Sequence, residues 1–348
     1  MDLQKYDGKV HPDEWINDLQ TYFNIKQKSN LININIAKSL IDSTIKLPTG
    51  IDNYEKLRNA LKEDISFTVF KNANKRKLQS LKYISERQGG DTSYFISTFR
   101  KLCYNAEVND VEEQKKYLYN SLSNDHFDYI SNEFYEKMEN IDSINELIKR
   151  FEEIILEESN LIRNGSIVAL KHVASGKYLS SVKNLCYKTG SKLQLVFAGN
   201  SKPVPNSLWK IEFNSKLATY TDTSITLQHV KSNGLLGIES HSFFFYDYRK
   251  SPSTSHTEVS CDGNENIWDF RNSKLENHQG YLKSNDIINL SIKKSCDRNG
   301  PTQDGEVIFL RSHGIQFTIE NATFQEVFCH NKRLGGNDEW CIELIRLS

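Results

Sequence analysis

Two histidines stand at matching places in the C-terminal half of the chain. Leu170-Lys171-His172-Val173 is echoed by Leu227-Gln228-His229-Val230. An imidazole titrates near neutrality and can both donate and accept, so His172 and His229 could contact a ligand or sense pH. The plainer role is a half-buried strand histidine that hydrogen-bonds a neighbouring turn. Two adjacent basic pairs, Arg249-Lys250 and Lys332-Arg333, lie in stretches that read as loops. Clustered cations of this kind could hold a phosphate, although surface charge alone accounts for both pairs. Phe243-Phe244-Phe245-Tyr246 could form an aromatic platform for a sugar or a partner, or pack in a core.

The remaining reactive residues assemble into no catalytic pattern. The sequence has no G-x-S-x-G elbow, P-loop, H-E-x-x-H or dinucleotide fingerprint. Glu152-Glu153 and Glu157-Glu158 read as the wet face of a helix. Cys329 and His330 are adjacent, so on a strand they point to opposite faces and cannot act directly as nucleophile and base. Asp91-Thr92-Ser93 looks superficially like an aspartic-protease triplet, but it stands where a helix should start. The 6 cysteines are scattered with no C-x-x-C pair, which argues against zinc and for reduced thiols in a cytoplasmic protein. No catalytic residue, metal or cofactor is assigned, and a non-enzymatic protein is expected. A net charge of −1 argues against nucleic-acid binding. The first residues lack the apolar core of a secretory signal, and no stretch approaches the ~18 apolar residues of a membrane span.

The elements that must position these residues differ between the halves. The first half is rich in Lys, Glu, Asn and Leu, and its apolar residues recur at helical spacing. Trp15, Ile16, Leu19, Tyr22 and Phe23 form one stripe behind Pro12, which suits a first helical turn. Ile36, Ala37, Leu40 and Ile41 mark a second helix over about 33–46. Asp52 with Glu55, Asp91, Asp110 with Glu113, and Ser143 with Glu146 read as helix starts. From Ser166 the period falls to 2. Trp209-Lys210-Ile211-Glu212-Phe213 puts Trp209, Ile211 and Phe213 on one face. Val196, Val259 and Val327 each lie in a short β-type run that leads to a tryptophan with an apolar residue two places on. These pairs are Trp209/Ile211, Trp268/Phe270 and Trp340/Ile342. No single repeat could bury its apolar face alone, so the threefold repeat predicts a closed all-β domain. In the third repeat, Ile288-Asn289-Leu290 and Val307-Ile308-Phe309-Leu310 compete to be the first strand.

Two resemblances bear on these halves. The Leu-x-His motifs at Leu170 and Leu227, Ser175-Gly176-Lys177-Tyr178-Leu179, and the Glu/Leu-Val runs before the three tryptophans together resemble a MIR domain, the module of protein mannosyltransferases and of inositol trisphosphate and ryanodine receptors. The resemblance implies a β-trefoil over about 164–348 that takes a sugar, inositol phosphate or peptide. Tyr6-x-Gly8, Glu14-Trp15-Ile16, Tyr22-Phe23, Leu78-x-x-Leu81-Lys82 and Gln88-Gly89-x-x-x-x-Tyr94-Phe95-x-x-x-Phe99-Arg100-x-Leu102 are similar to the capsid region of retrotransposon Gag polyproteins. That resemblance implies a two-lobed helical domain that self-associates into homo-oligomers. The zinc knuckle that usually follows is missing. The sequence therefore predicts a multidomain α plus β protein, with a Gag capsid-like all-α bundle over 1–160 and a MIR-like all-β trefoil over 164–348. Self-association and ligand recognition are the expected functions; the alternative is a monomeric carbohydrate or inositol-phosphate binder on a helical scaffold.

Overall fold

The computed structural model describes residues 4–25, 30–123, 129–240, 247–273, 280–297, 300–331 and 335–346. The chain divides into two compact units, Met1–Glu158 and Ser159–Ser348. The first is all-α. It comprises α1 (Pro12–Ile25), α2 (Asn30–Ser39), α3 (Tyr54–Glu63), α4 (Ile65–Ser80), α5 (Thr92–Asn105), α6 (Val111–Ser121), α7 (Tyr129–Lys137) and α8 (Ile144–Ser159). No helix in the described residues is long and apolar enough to cross a membrane.

Local chemistry sets the helix ends. Asp91 accepts from Tyr94 N at 2.8 Å, Asp110 from Glu113 N at 2.9 Å, and Ser143 from Glu146 N at 3.2 Å. Each satisfies an amide that the first turn leaves open. α3 differs from expectation. Its cap is Asn53, which accepts from Lys56 N, while Asp52 takes the Lys56 ammonium instead. The second helix also stops earlier than its apolar pattern suggests. Leu40 and Ile41 leave the helix because Tyr6 competes for their backbone: Tyr6 N donates to Leu40 O, and Asp42 N to Tyr6 O. Tyr6, Trp15, Ile16, Leu19, Phe23, Ala37, Leu57 and Leu61 form one apolar cluster from α1–α3. Phe95, Phe99 and Phe151 meet beside Tyr83, with ring centroids 5.1–6.4 Å apart.

The second unit is all-β. Lobe 1 supplies β1 (Ile167–His172), β2 (Leu179–Cys186), β3 (Gln194–Ala198) and β4 (Trp209–Glu212). Lobe 2 supplies β5 (Ser224–His229), β6 (Leu236–Gly237), β7 (Thr257–Glu258), β8 (Ser260–Cys261) and β9 (Trp268–Asn272). Lobe 3 supplies β10 (Asp286–Lys293), β11 (Cys296–Asp297), β12 (Gly300–Pro301), β13 (Val307–Ile319), β14 (Ala322–His330) and β15 (Trp340–Arg346). In hydrogen-bonded order β15, β1, β4, β5, β9 and β10 form a ring, which β10 closes by pairing back onto β15. Closure leaves this barrel no free edge. β2–β3, the short strands β6–β8 and β13–β14 cap one end. A six-stranded barrel capped by three hairpins, one from each lobe, is a β-trefoil. Residues ahead of Asn164 already take part: Ile162 N donates to Leu282 O, and Leu161 and Arg163 bridge to Lys283 and Leu217. In lobe 3 the competition is resolved in favour of β10 as the first strand, with Val307–Ile319 forming the long hairpin arm.

One hydrogen bond recurs in all three lobes. The indole N–H donates to a leucine carbonyl thirty or so residues upstream: Trp209 to Leu179 O at 3.0 Å, Trp268 to Leu236 O at 2.9 Å, and Trp340 to Leu310 O at 3.0 Å. All three tryptophans are fully buried, with Ile211, Phe270 and Ile342 beside them in one core. Each ring therefore fills the barrel while its polar atom ties the barrel to its cap.

Candidate functional site

His172 and His229 lie at two equivalent joints. Their strands place them opposite tryptophans of the next strand, His172 against Trp340 and His229 against Trp209. His172 Nδ1 meets Ser175 Oγ at 2.9 Å and Nε2 meets Asn337 O at 3.0 Å. His229 repeats this with Ser232 Oγ at 2.8 Å and Asn206 O at 3.2 Å. A carbonyl only accepts, so Nε2 carries the proton and Nδ1 accepts from the serine hydroxyl. The turns that follow are equivalent too, with left-handed residues at Gly176 (φ +67°) and Asn233 (φ +61°). Lobe 3 has no histidine at the equivalent position. One step beyond the Ser291–Asp269 pair, Ile292 stands where the imidazole would be. Both rings are fully buried with both nitrogens engaged, which makes them parts of the scaffold.

Burial holds both imidazoles below their ordinary pKa of 6.5. The folded protein thus prefers the neutral form, and the unfolded chain binds protons first on acidification. Their stabilising effect is complete above about pH 6.5 and is lost as pH falls below it toward the folded pKa. His172→Ile, which copies lobe 3, is expected to reduce the loss of melting temperature between pH 7 and pH 5; an unchanged pH profile would refute this.

A second equivalent set occupies the strands before the tryptophans, where Leu195, Glu258 and Glu326 precede Val196, Val259 and Val327. Each supports the hairpin tip of a different lobe. Glu326 of lobe 3 accepts from Ser253 N at 2.8 Å and Thr254 N at 3.2 Å in the lobe 2 tip. Glu258 of lobe 2 accepts from Ser191 N at 3.1 Å in the lobe 1 tip. Leu195 of lobe 1 packs with Phe317 and Ile319 of the lobe 3 arm. Glu258 is the strained member. Among the described residues its buried Oε2 has no hydrogen-bond partner. Burial pushes its carboxyl up to about 7, opposed by the Ser191 hydrogen bond and the Arg249 charge and assisted by Glu239. Gly190 leaves room for it: a Cβ there would lie 2.0 Å from Oε2.

The basic candidates are therefore divided. Arg249 acts on Glu258 from the neighbouring strand pairing, where Glu258 N donates to Arg249 O. Lys250 is half-exposed and 3.7 Å from Asp247. Lys332, Arg333 and the Phe243–Tyr246 run lie outside the described residues. No group of three or more His, Cys, Asp or Glu among the described residues could hold a metal.

A polar hollow at the β4–β5 connection went unremarked in the sequence. Its volume is about 460 Å³. Alternation explains how it forms. Ala218 and Tyr220 point into the core, which leaves Leu217 and Thr219 to line the hollow. Leu282 N anchors this segment by donating to Ala218 O, and the Tyr220 hydroxyl donates to Asp286. Thr219 N donates to Thr223 Oγ1 at 3.0 Å, and Ser215 Oγ to Leu217 O at 2.6 Å. Asn214, Asp222 and Ser224 complete the rim. The dense run of Ser, Thr, Asn and Asp was the only signal available, and it reads simply as a turn-rich loop.

No protein-family model matches the chain, and no curated protein matches it. Among solved structures it is similar to the SDF2-like protein from Arabidopsis thaliana, at 21% identity over 54% of this chain and 98% of that one, with a TM-score of 0.41. It is also similar to the Saccharomyces cerevisiae protein O-mannosyltransferase Pmt1-Pmt2 complex bound to the sugar donor, at 17% identity over 85% of this chain and 41% of that one, with a TM-score of 0.40. The Macrolepiota procera ricin B-like lectin in complex with lactose shows 15% identity over 53% of this chain and 98% of that one, with a TM-score of 0.30.

Proposed function

We propose that this is a non-enzymatic recognition protein, with a MIR-type trefoil that binds ligand and a helical unit that carries it. The carrying observation is the contrast within the trefoil. Its buried histidines and carboxylates serve internal joints, whereas the hollow at 214–224 turns several polar groups outward from an anchored loop. A small-molecule site of ~300–1,000 Å³ held on rigid elements needs that kind of preorganisation. The cysteines are all free thiols, most of them buried, which supports a reducing, cytoplasmic setting. A melting screen with oligosaccharides, inositol phosphates and peptides tests the reading. A ligand at a hundred times its Kd should add about 2.7 kcal/mol of stability. No shift with any class would reject it.

A specific observation favours a second role, self-association by a Gag-like helical unit. Ile65 and Val69, one turn apart on α4, are 73% and 58% exposed. Light scattering across concentration and salt is expected to show assembly that Ile65→Lys with Val69→Lys suppresses. Monomer at every concentration would remove this role.

A further inference from the structure

The hollow between β4 and β5 has a lining that selects among ligand classes. Asn214 offers an amide that both donates and accepts. Asp222 is exposed; its Oδ2 accepts from Thr221 at 2.9 Å, and its second oxygen is open to a ligand. Ser224 Oγ donates to Asp269 Oδ1 at 2.7 Å and keeps its lone pairs for an incoming hydroxyl. Leu217 supplies an apolar patch on the wall. Among the described residues, no lysine or arginine lines the hollow.

We infer that this hollow takes a neutral polyhydroxylated ligand of monosaccharide size and rejects phosphorylated ones. This rests on the recognition role proposed above and names its ligand class. Neighbouring hydroxyls on a sugar ring each donate and accept. They match an amide beside a carboxylate, while the ring's C–H face can lie on Leu217. An ionised phosphate group offers only acceptors, and it would bring its negative charge toward Asp222 and Asp269 with no cation in the lining to offset it. Asp222 therefore acts as both a hydrogen-bond acceptor for hydroxyls and a barrier to anions.

Saturation-transfer NMR on the full chain tests this, with methyl mannoside, galactose, N-acetylglucosamine and myo-inositol as neutral probes and inositol trisphosphate as the anionic one. The expected result is transfer to at least one neutral probe and none to the trisphosphate. Asn214→Ala and Asp222→Asn should each weaken the neutral probe by about tenfold, the effect of losing one charge-assisted or amide hydrogen bond. Both positions are exposed, and an unchanged melting midpoint would show that the variants fold. Neutral binding indifferent to both substitutions overturns the assignment to this hollow. Binding of the trisphosphate alone, strengthened by Asp222→Asn, overturns the ligand class while leaving a recognition role intact. Silence from every probe here, alongside a melting shift with a peptide in the broader screen, likewise rejects only the ligand class.

Discussion

Replacing Trp340 with alanine is expected to destabilise the trefoil by about 3–5 kcal/mol, the largest effect of any single change considered. Three losses coincide. The ring leaves a cavity in a core shared by all three lobes. Its N–H no longer satisfies Leu310 O, a carbonyl in the buried cap, and an unpaired buried acceptor costs about 1–3 kcal/mol by itself. His172 also loses the indole it packs against, at a centroid distance of 5.0 Å. Trp340→Phe separates these contributions. It keeps most of the apolar area and forfeits the hydrogen bond, so it should fall between the wild type and the alanine variant. Chemical denaturation followed by far-UV circular dichroism gives the comparison; equal stability of all three proteins would mean that the indole does not anchor the barrel.

The second large effect separates two glutamates that a sequence alignment of the lobes would treat alike. Glu326→Leu, which copies lobe 1, should cost about 2–4 kcal/mol, because the Ser253 and Thr254 amides both lose their acceptor. Glu258→Gln should do the reverse at pH 8. Its carboxyl is held up at about 7, above the ordinary 4.5, so the folded state binds the proton more tightly than the unfolded chain. The stabilisation that follows is fully present below about pH 4.5 and disappears as pH rises through 7. An amide cannot ionise, so the variant should be more stable than wild type by on the order of 1–2 kcal/mol at pH 8 and nearly equal to it at pH 5. This trend opposes that of the two buried histidines, and the Gln variant isolates the histidine contribution. If Glu258→Gln melts lower than wild type at pH 8, the carboxylate is satisfied and the assignment fails.

What the sequence made legible follows from periodicity. Trp209, Trp268 and Trp340 could be placed because alternation with Ile211, Phe270 and Ile342 admits one buried face, and a repeated face requires closure. Asp91, Asp110 and Ser143 could be placed as caps because a cap acts within three residues of itself. Features set by distant partners were not legible. Nothing near Leu40 announces that Tyr6 will take over its carbonyl. Nothing in Thr257-Glu258-Val259 or Gln325-Glu326-Val327 reveals which amide each carboxylate will meet, since those amides lie 67 to 73 positions away. The hollow was hidden for the same reason. Its lining is local, but the walls stand upright only because Leu282 and Asp286 hold Ala218 and Tyr220 from behind.

The pairing of β15 with both β1 and β10 has a temporal consequence. During synthesis the strand Ile167–His172 waits for Trp340–Arg346, which emerges some 170 residues later. Until then the barrel has a gap flanked by two open ladders, and its apolar interior is reachable by other chains. Wide sequence separation of this kind makes for slow folding and a dangerous interval beforehand. A nascent chain stalled before residue 340 should accordingly be a preferred client of ribosome-associated chaperones, whereas the same chain extended by a linker long enough to clear β15 from the exit tunnel should display a protease-resistant trefoil.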